Sequence, residues 1–181
     1  MLIFSLFTAV IIIQRLAEVW IAKGNEQWMK ARGAVEYGEE HYPFMVSIHT
    51  AFFISLIVEG ILRGGELSRF WPIYFTIFIL AQAARTWVIL SLGRFWNTKI
   101  IVLPGARIVS KGPFRFVRHP NYIIVTAELL VVPLMFQAYW TAAVFFILNQ
   151  IILSIRIPAE EMALKKATNY SEKFGGPGKA R

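Results

Sequence analysis

The sequence predicts an all-α integral membrane protein with about five transmembrane helices. Three observations carry that prediction. Hydrophobic residues make up 56% of the 181 residues and charged residues only 17%. A soluble domain of this length has too much surface to hide so much apolar material, whereas lipid solvates it. The apolar residues fall in long runs, and a helical crossing takes roughly 20 of them. The formal net charge of +8 lies mainly between the runs. This favours an anionic membrane surface, not nucleic acid, as the charged partner.

The first run is Leu2 to Ala22. It has no basic leader, exceeds a signal-peptide core in length and lacks a small-x-small cleavage pattern, so it is expected to be a membrane helix. Pro43 to Leu62 and Trp71 to Leu92 are the second and third spans. Tyr122 to Ile157 is too long for one span. Pro133 and the sequence Phe136-Gln137-Ala138-Tyr139-Trp140 mark a turn, which makes it a helical hairpin of Tyr122–Met135 and Tyr139–Ile157 with a short first arm. The whole chain is expected to form one membrane-embedded domain. Residues 1–92 are its three-helix part, 93–170 a second part with the long polar link and the hairpin, and 171–181 a flexible tail.

Lys and Arg favour cytoplasmic loops. With the N-terminus outside and five crossings, segments 23–42, 93–121 and 156–181 lie inside and hold fifteen of the nineteen basic residues. The expected location is therefore the cell membrane, with the chemistry at the cytoplasmic face. Segment 93–121 is long for a connector, and long ordered links are often functional. It carries turn signals at Pro104-Gly105 and Lys111-Gly112-Pro113 around a β-like run, Ile108-Val109. After Arg156, RIPAEEMALKKA is expected to be a cytosolic C-terminal helix, with Pro158 as the place where the fifth span ends and that helix starts.

Arg118-His119-Pro120-Asn121-Tyr122 is the first candidate for chemistry. Proline suits the first turn of a helix and keeps the residue before it out of helical geometry. A helix N-terminus offers free N–H groups to an anion. Arg118 adds charge, and His119 and Tyr122 add directional hydrogen bonds, so the group suits a carboxylate or a ribose. It equally suits a basic membrane-flanking anchor with an interfacial tyrosine. Arg156 and Glu160 are one helical turn apart if the helix continues, beside Glu161. A capping acidic pair and a snorkelling arginine explain the same residues. A third polar cluster, between Asn25 and Tyr42, lies on the same side of the membrane and also fits a solvated amphipathic segment. Within the spans, Arg15 and Glu18 are spaced to pair, Arg85 either snorkels or points into the bundle, Glu59 is expected near solvent, and His49 suits a hydrogen-bonded bundle residue. With three histidines and no cysteine, there is no metal-ligand spacing, disulfide or thiolate chemistry. No phosphate-binding glycine loop or nucleophile elbow is present.

The pattern GARIVSKGPFRFVRHPNY, a hydrophobic hairpin and then RIPAEEMAL resembles the isoprenylcysteine carboxyl methyltransferase family over roughly residues 90–170. The resemblance implies a small multi-spanning enzyme that uses S-adenosyl-L-methionine. Carried over by position, it places the cofactor on Ala106, Arg107, Ile108, Val109, Phe114, His119, Pro120, Asn121, Tyr122 and Glu160. It places Arg156 at the substrate as the catalytic residue. Lys99 falls on a contact position with a different residue type. Phe114 stands where relatives can have tyrosine, and Pro158 is a second departure. The segment from Gln14 to His49 is similar to a bacterial subgroup, the alkylpyrone O-methyltransferases found with type III polyketide synthases. This implies a lipophilic small-molecule substrate, a long-chain alkylpyrone, and a place beside such a synthase.

Overall fold

The computed structural model describes residues 1–170; the tail expected to be flexible, 171–181, lies outside the described residues. Five helices dominate: α1 (Leu2–Lys30), α2 (Tyr42–Leu62), α3 (Trp71–Leu92), α4 (Pro120–Met135) and α5 (Tyr139–Ala167). Four of them, all but α4, are long and apolar enough to cross a membrane, so the chain is a multi-pass, all-α membrane protein. Apolar side chains such as Leu16, Ile54, Leu80, Leu90 and Ile147 stay more than half exposed around the outside, where lipid covers them.

The helix ends follow local chemistry. Proline stands in the first turn of α2, α3 and α4, where its missing N–H costs no helical bond. Gly93 closes α3 at a positive φ. α1 runs two turns beyond the expected end at Ala22. Residues 23–30 are mostly polar, so hydropathy misses them, yet the helix carries on through Gly24, and Lys30 bonds Glu26 at 2.7 Å. α5 also runs straight past Pro158 to Ala167, so the expected separate C-terminal helix is the last part of α5. Proline there deletes one backbone bond without ending the helix.

The α4–α5 turn lies where the sequence places it, with α4 only 16 residues long. At about 1.5 Å per residue it spans about 24 Å, short of a bilayer core of about 30 Å. Its end is sealed inside the protein. Met135, Phe136 and Ala138 are buried, and the backbone N–H of Ser68 donates to the Met135 carbonyl at 2.9 Å. Glu59 is not solvated as expected. Its carboxylate accepts bonds from the Thr141 N–H and hydroxyl, both at 2.8 Å. It thereby caps the positive end of α5.

One strand pair joins the two polar links. β1 (Val35–Tyr37) and β2 (Ile100–Val102) are antiparallel, with Val35 opposite Val102 and Tyr37 opposite Ile100. The β-like run expected at Ile108-Val109 is not a strand. The buried Ile100–Val102 run pairs with β1, and the Ile108 N–H is taken by the Asn169 side chain at 3.0 Å.

Gly112 seats the turn before α4 against α3. Its φ is +61°, and a Cβ there would lie 2.2 Å from the Ser91 hydroxyl and 3.1 Å from the Trp87 ring nitrogen. Left-handed backbone and overpacking add, so Gly112→Ala is expected to cost about 2–4 kcal/mol. Denaturant unfolding in detergent measures this, and a loss under about 1 kcal/mol would show that the turn repacks freely.

Candidate active site

The loop and helix ends that the sequence singles out converge. Pro120 starts α4 and holds His119 outside helical geometry, at φ −126° and ψ 63°. This brings His119 and Tyr122 together, with rings 5.5 Å apart and nearly parallel. Both face α5. The Tyr122 hydroxyl donates to Glu160 at 2.6 Å. His119 Nδ1 lies 3.5 Å from Glu160, and its Nε2 lies 3.3 Å from Glu161. Burial alone would lower the His119 pKa, but the hydrogen bonds and charges of Glu160 and Glu161 outweigh it and raise it above the ordinary value. The ring therefore keeps its proton to higher pH than an isolated histidine.

Arg156 is one turn before Glu160 on α5 and is 4% exposed. Its Nη2 donates to the Thr98 carbonyl at 3.0 Å, while its Nε is buried without a partner among the described residues. The loop through Ala106–Val109 is tied to the end of α5 by the Ile108–Asn169 bond and by the Gly105 N–H on the Ala167 carbonyl at 2.9 Å. Thr98 and Asn169 escaped sequence reasoning because nothing local marks a carbonyl or a loop asparagine as a brace.

A cavity of about 730 Å³ joins these parts. Ala106, Arg107, Ile108, Val109, Phe114, His119, Pro120, Asn121, Tyr122, Arg156 and Glu160 all line it. Thus every residue that the resemblance places at the cofactor or the substrate lines one space. From there the cavity runs into the bundle, past His49, Phe52, Val125 and Leu129. It also extends between the C-terminal half of α1 and the N-terminal half of α2, whose other ends pack together where the Phe4 ring covers Gly60. Leu16, Val46 and Ile54 line this gap while remaining exposed on the outer surface. The space is polar at the loops and apolar toward lipid.

The third polar cluster acts as a brace. Asn25 donates to the Trp96 carbonyl at 2.7 Å. Lys99 bridges Glu26 at 2.9 Å and Glu36 at 3.0 Å, so its charge is already matched. Arg32 lies 4.0 Å over the Trp28 ring. Among the described residues no three His, Cys, Asp or Glu side chains are grouped to hold a metal ion.

Residues 73–166, just over half of the chain, match the isoprenylcysteine carboxyl methyltransferase family. This chain belongs to that family. Family membership makes it a membrane methyltransferase, and the matched region carries α3, α4, most of α5 and the cavity mouth. The uncharacterized protein YpbQ of Bacillus subtilis (strain 168) is 45% identical over 163 residues, covering 90% of this chain and 97% of that protein. An uncharacterized protein of Haemophilus influenzae is 32% identical over 165 residues, covering 91% of this chain and 96% of its own. No solved structure matches this methyltransferase.

Proposed function

We propose that this methyltransferase transfers the methyl group of S-adenosyl-L-methionine to an oxygen of a lipophilic acceptor, a long-chain alkylpyrone-type polyketide supplied by a type III polyketide synthase. The observation that carries the reading is the shape of the cavity: one continuous space with a polar mouth at the loops and an apolar slot between α1 and α2. It suits one water-soluble and one lipid-soluble reactant. The charge distribution supports a cell-membrane protein with this mouth on the cytoplasmic side.

The residues present fit the cofactor. Asn121 Oδ1 is a buried polar atom without a partner among the described residues, on a side chain lining the cavity. Ala106–Val109, Phe114, His119–Tyr122 and Glu160 would hold the nucleoside and amino-acid parts. Bound, the sulfonium supplies a methyl group already activated for displacement, so the protein's task is mainly to orient the two reactants. Aromatic faces such as Phe114 and Tyr122 tolerate a cation. A hydroxypyrone is an acidic enol, and Arg156 can hold its anionic oxygen or ring carbonyl while the alkyl chain lies in the α1–α2 slot.

Titration of the purified protein with S-adenosylhomocysteine and, separately, NADPH tests the reading. Micromolar binding of the first is expected. Mass spectrometry of reactions with alkylpyrones should show a gain of one methyl group. Binding of NADPH alone would overturn the reading, and methyl transfer confined to prenylcysteine carboxylates would overturn the acceptor.

A further inference from the structure

Contacts along the seam between α2 and α5 fix its register. The Ser55 hydroxyl is 2.8 Å from the Thr141 hydroxyl. One turn further in, the Phe52 and Phe145 rings pack edge to face with centroids 5.5 Å apart. Each turn is three residues back on α2 and four forward on α5, so the next one sets His49 beside Asn149. Two more turns on both helices lead to Tyr42 and Arg156, which meet at Thr98. The Tyr42 hydroxyl is 3.3 Å from the Thr98 hydroxyl, and Arg156 donates to the Thr98 carbonyl. His49 and Asn149 thus share one level, about 10 Å inward from the point where Arg156 is held. Both line the cavity, among apolar neighbours such as Phe52, Val125 and Leu129.

Each of the two side chains has one polar atom fixed and one open. Asn149 is 1% exposed. Its amide nitrogen donates to the Thr126 hydroxyl at 2.8 Å, and that hydroxyl donates to the Tyr122 carbonyl at 2.8 Å. A hydroxyl has one hydrogen, so Thr126 accepts from Asn149, and the amide oxygen Oδ1 is the atom left over. His49 Nδ1 is 2.9 Å from the Met45 carbonyl. A carbonyl only accepts, so Nδ1 carries the hydrogen and Nε2 keeps a lone pair. Neither Oδ1 nor Nε2 has a hydrogen-bond partner among the described residues, and neither is sealed off. Two open acceptors in apolar surroundings call for a donor, because an unpaired polar atom is costly there. Arg15, Arg156 and Arg85 all bear on the His49 ring. Their charge repels a cationic donor and favours a neutral one.

We propose that Asn149 Oδ1 and His49 Nε2 form a second polar subsite, which takes a neutral hydroxyl carried on the chain of the methyl acceptor, about 10 Å from the oxygen that is methylated. The inference rests on the methyl-transfer reading and narrows its substrate class to lipids with a hydroxyl part-way along the chain. With the reacting end at Arg156, the chain runs inward along the α2–α5 seam and passes the pair before it reaches Phe52. The chain hydroxyl gives its one hydrogen to either acceptor. No proton is transferred, and the ring stays neutral. The subsite acts on which acceptor is held and not on the chemical step. A plain alkyl chain at this level leaves both acceptors unpaired, and a site built to bond a hydroxyl rejects the analogue that lacks it.

The test uses the full chain in lipid nanodiscs and a set of alkyl hydroxypyrones of one chain length. One has a plain chain, and the others carry a single hydroxyl moved stepwise along it. The readout is the ratio of kcat/KM for each hydroxylated acceptor to that for the plain one. Wild type is expected to favour one hydroxyl position by about tenfold, the upper end of what one hydrogen bond is worth net. Asn149→Leu and His49→Phe should each lower that ratio severalfold, and the double variant should bring it to about one. His49→Gln, which restores an acceptor, should recover part of it. Asn149→Leu also loses the bond to Thr126, so if it fails to fold the His49 variants still decide. A flat profile in wild type with good turnover of the plain pyrone would overturn the subsite alone. So would a preference that survives in the folded variants, because the hydroxyl would then be held elsewhere. Absence of methyl transfer to every acceptor by wild type would overturn the alkylpyrone reading and the subsite with it.

Discussion

Replacing Glu128 with glutamine is expected to cost about 3–5 kcal/mol of stability, because it strips one charge from a buried, neutral group of four. Glu128 and Arg85 are both buried. The Glu128 carboxylate accepts bonds from Arg85, from Arg15 at 2.5 Å and from Gln82 at 2.7 Å. Glu18 accepts from Arg15 at 2.5 Å, from Arg85 at 3.2 Å and from Gln14 at 2.9 Å. Two carboxylates thus balance two guanidinium groups across α1, α3 and α4. Glutamine has nearly the same shape but leaves a net positive charge with little water to solvate it, and it turns an N–H toward arginine. The companion variant is Arg85→Leu with Glu128→Leu. It removes one charge of each sign and leaves Arg15 with Glu18, so it should be less damaging than the single glutamine. Unfolding curves in one detergent measure both. A loss under about 1 kcal/mol for Glu128→Gln would mean that water reaches the network and screens it.

This network shows where reading the sequence stops. The spacing of Arg15 and Glu18 is local, and the sequence announces their pairing. Arg85 is visible as a charge in an apolar span, and the choice between snorkelling and pointing inward is settled by a carboxylate 43 residues away. Glu128 itself passes unnoticed in the run Tyr122–Met135, although a lone acid in a span needs a partner and is a signal in its own right. The spans were legible because hydrophobic length is a property of contiguous residues. The continuations of α1 and α5 were not, because polar residues hide a helix from hydropathy, and Pro158 is a local signal that the surrounding helix overrides. The residues of the candidate site stand out in the sequence through their motif. What held it, the Thr98 carbonyl, the Asn169 amide and the Lys99–Glu26–Glu36 brace, depends on backbone groups and on pairs far apart in the chain.

The second large effect is expected at Arg156, and it should be on rate more than on folding. Arg156→Ala is expected to lower kcat/KM for methyl transfer about 100-fold to 1,000-fold, the scale seen when one donor to a developing or resident oxyanion is removed from a water-poor site. Its side chain lines the cavity that would take the acceptor. Its Nη2 already serves the Thr98 carbonyl, so truncation also costs about 1–3 kcal/mol of stability by leaving that carbonyl unpaired. Two controls separate these effects. S-adenosylhomocysteine should still bind within a few-fold of wild type, because the cofactor contacts assigned to Ala106–Val109, Phe114 and His119 lie outside α5. Arg156→Lys should fold yet recover little rate, since an ammonium cannot hold the Thr98 carbonyl and the acceptor in the fixed fork of a guanidinium. Full activity in the lysine variant would reduce Arg156 to a point charge. Unchanged methyl transfer in the alanine variant would remove it from the substrate altogether and shift the anchoring of the acceptor oxygen to the deeper groups around Arg15.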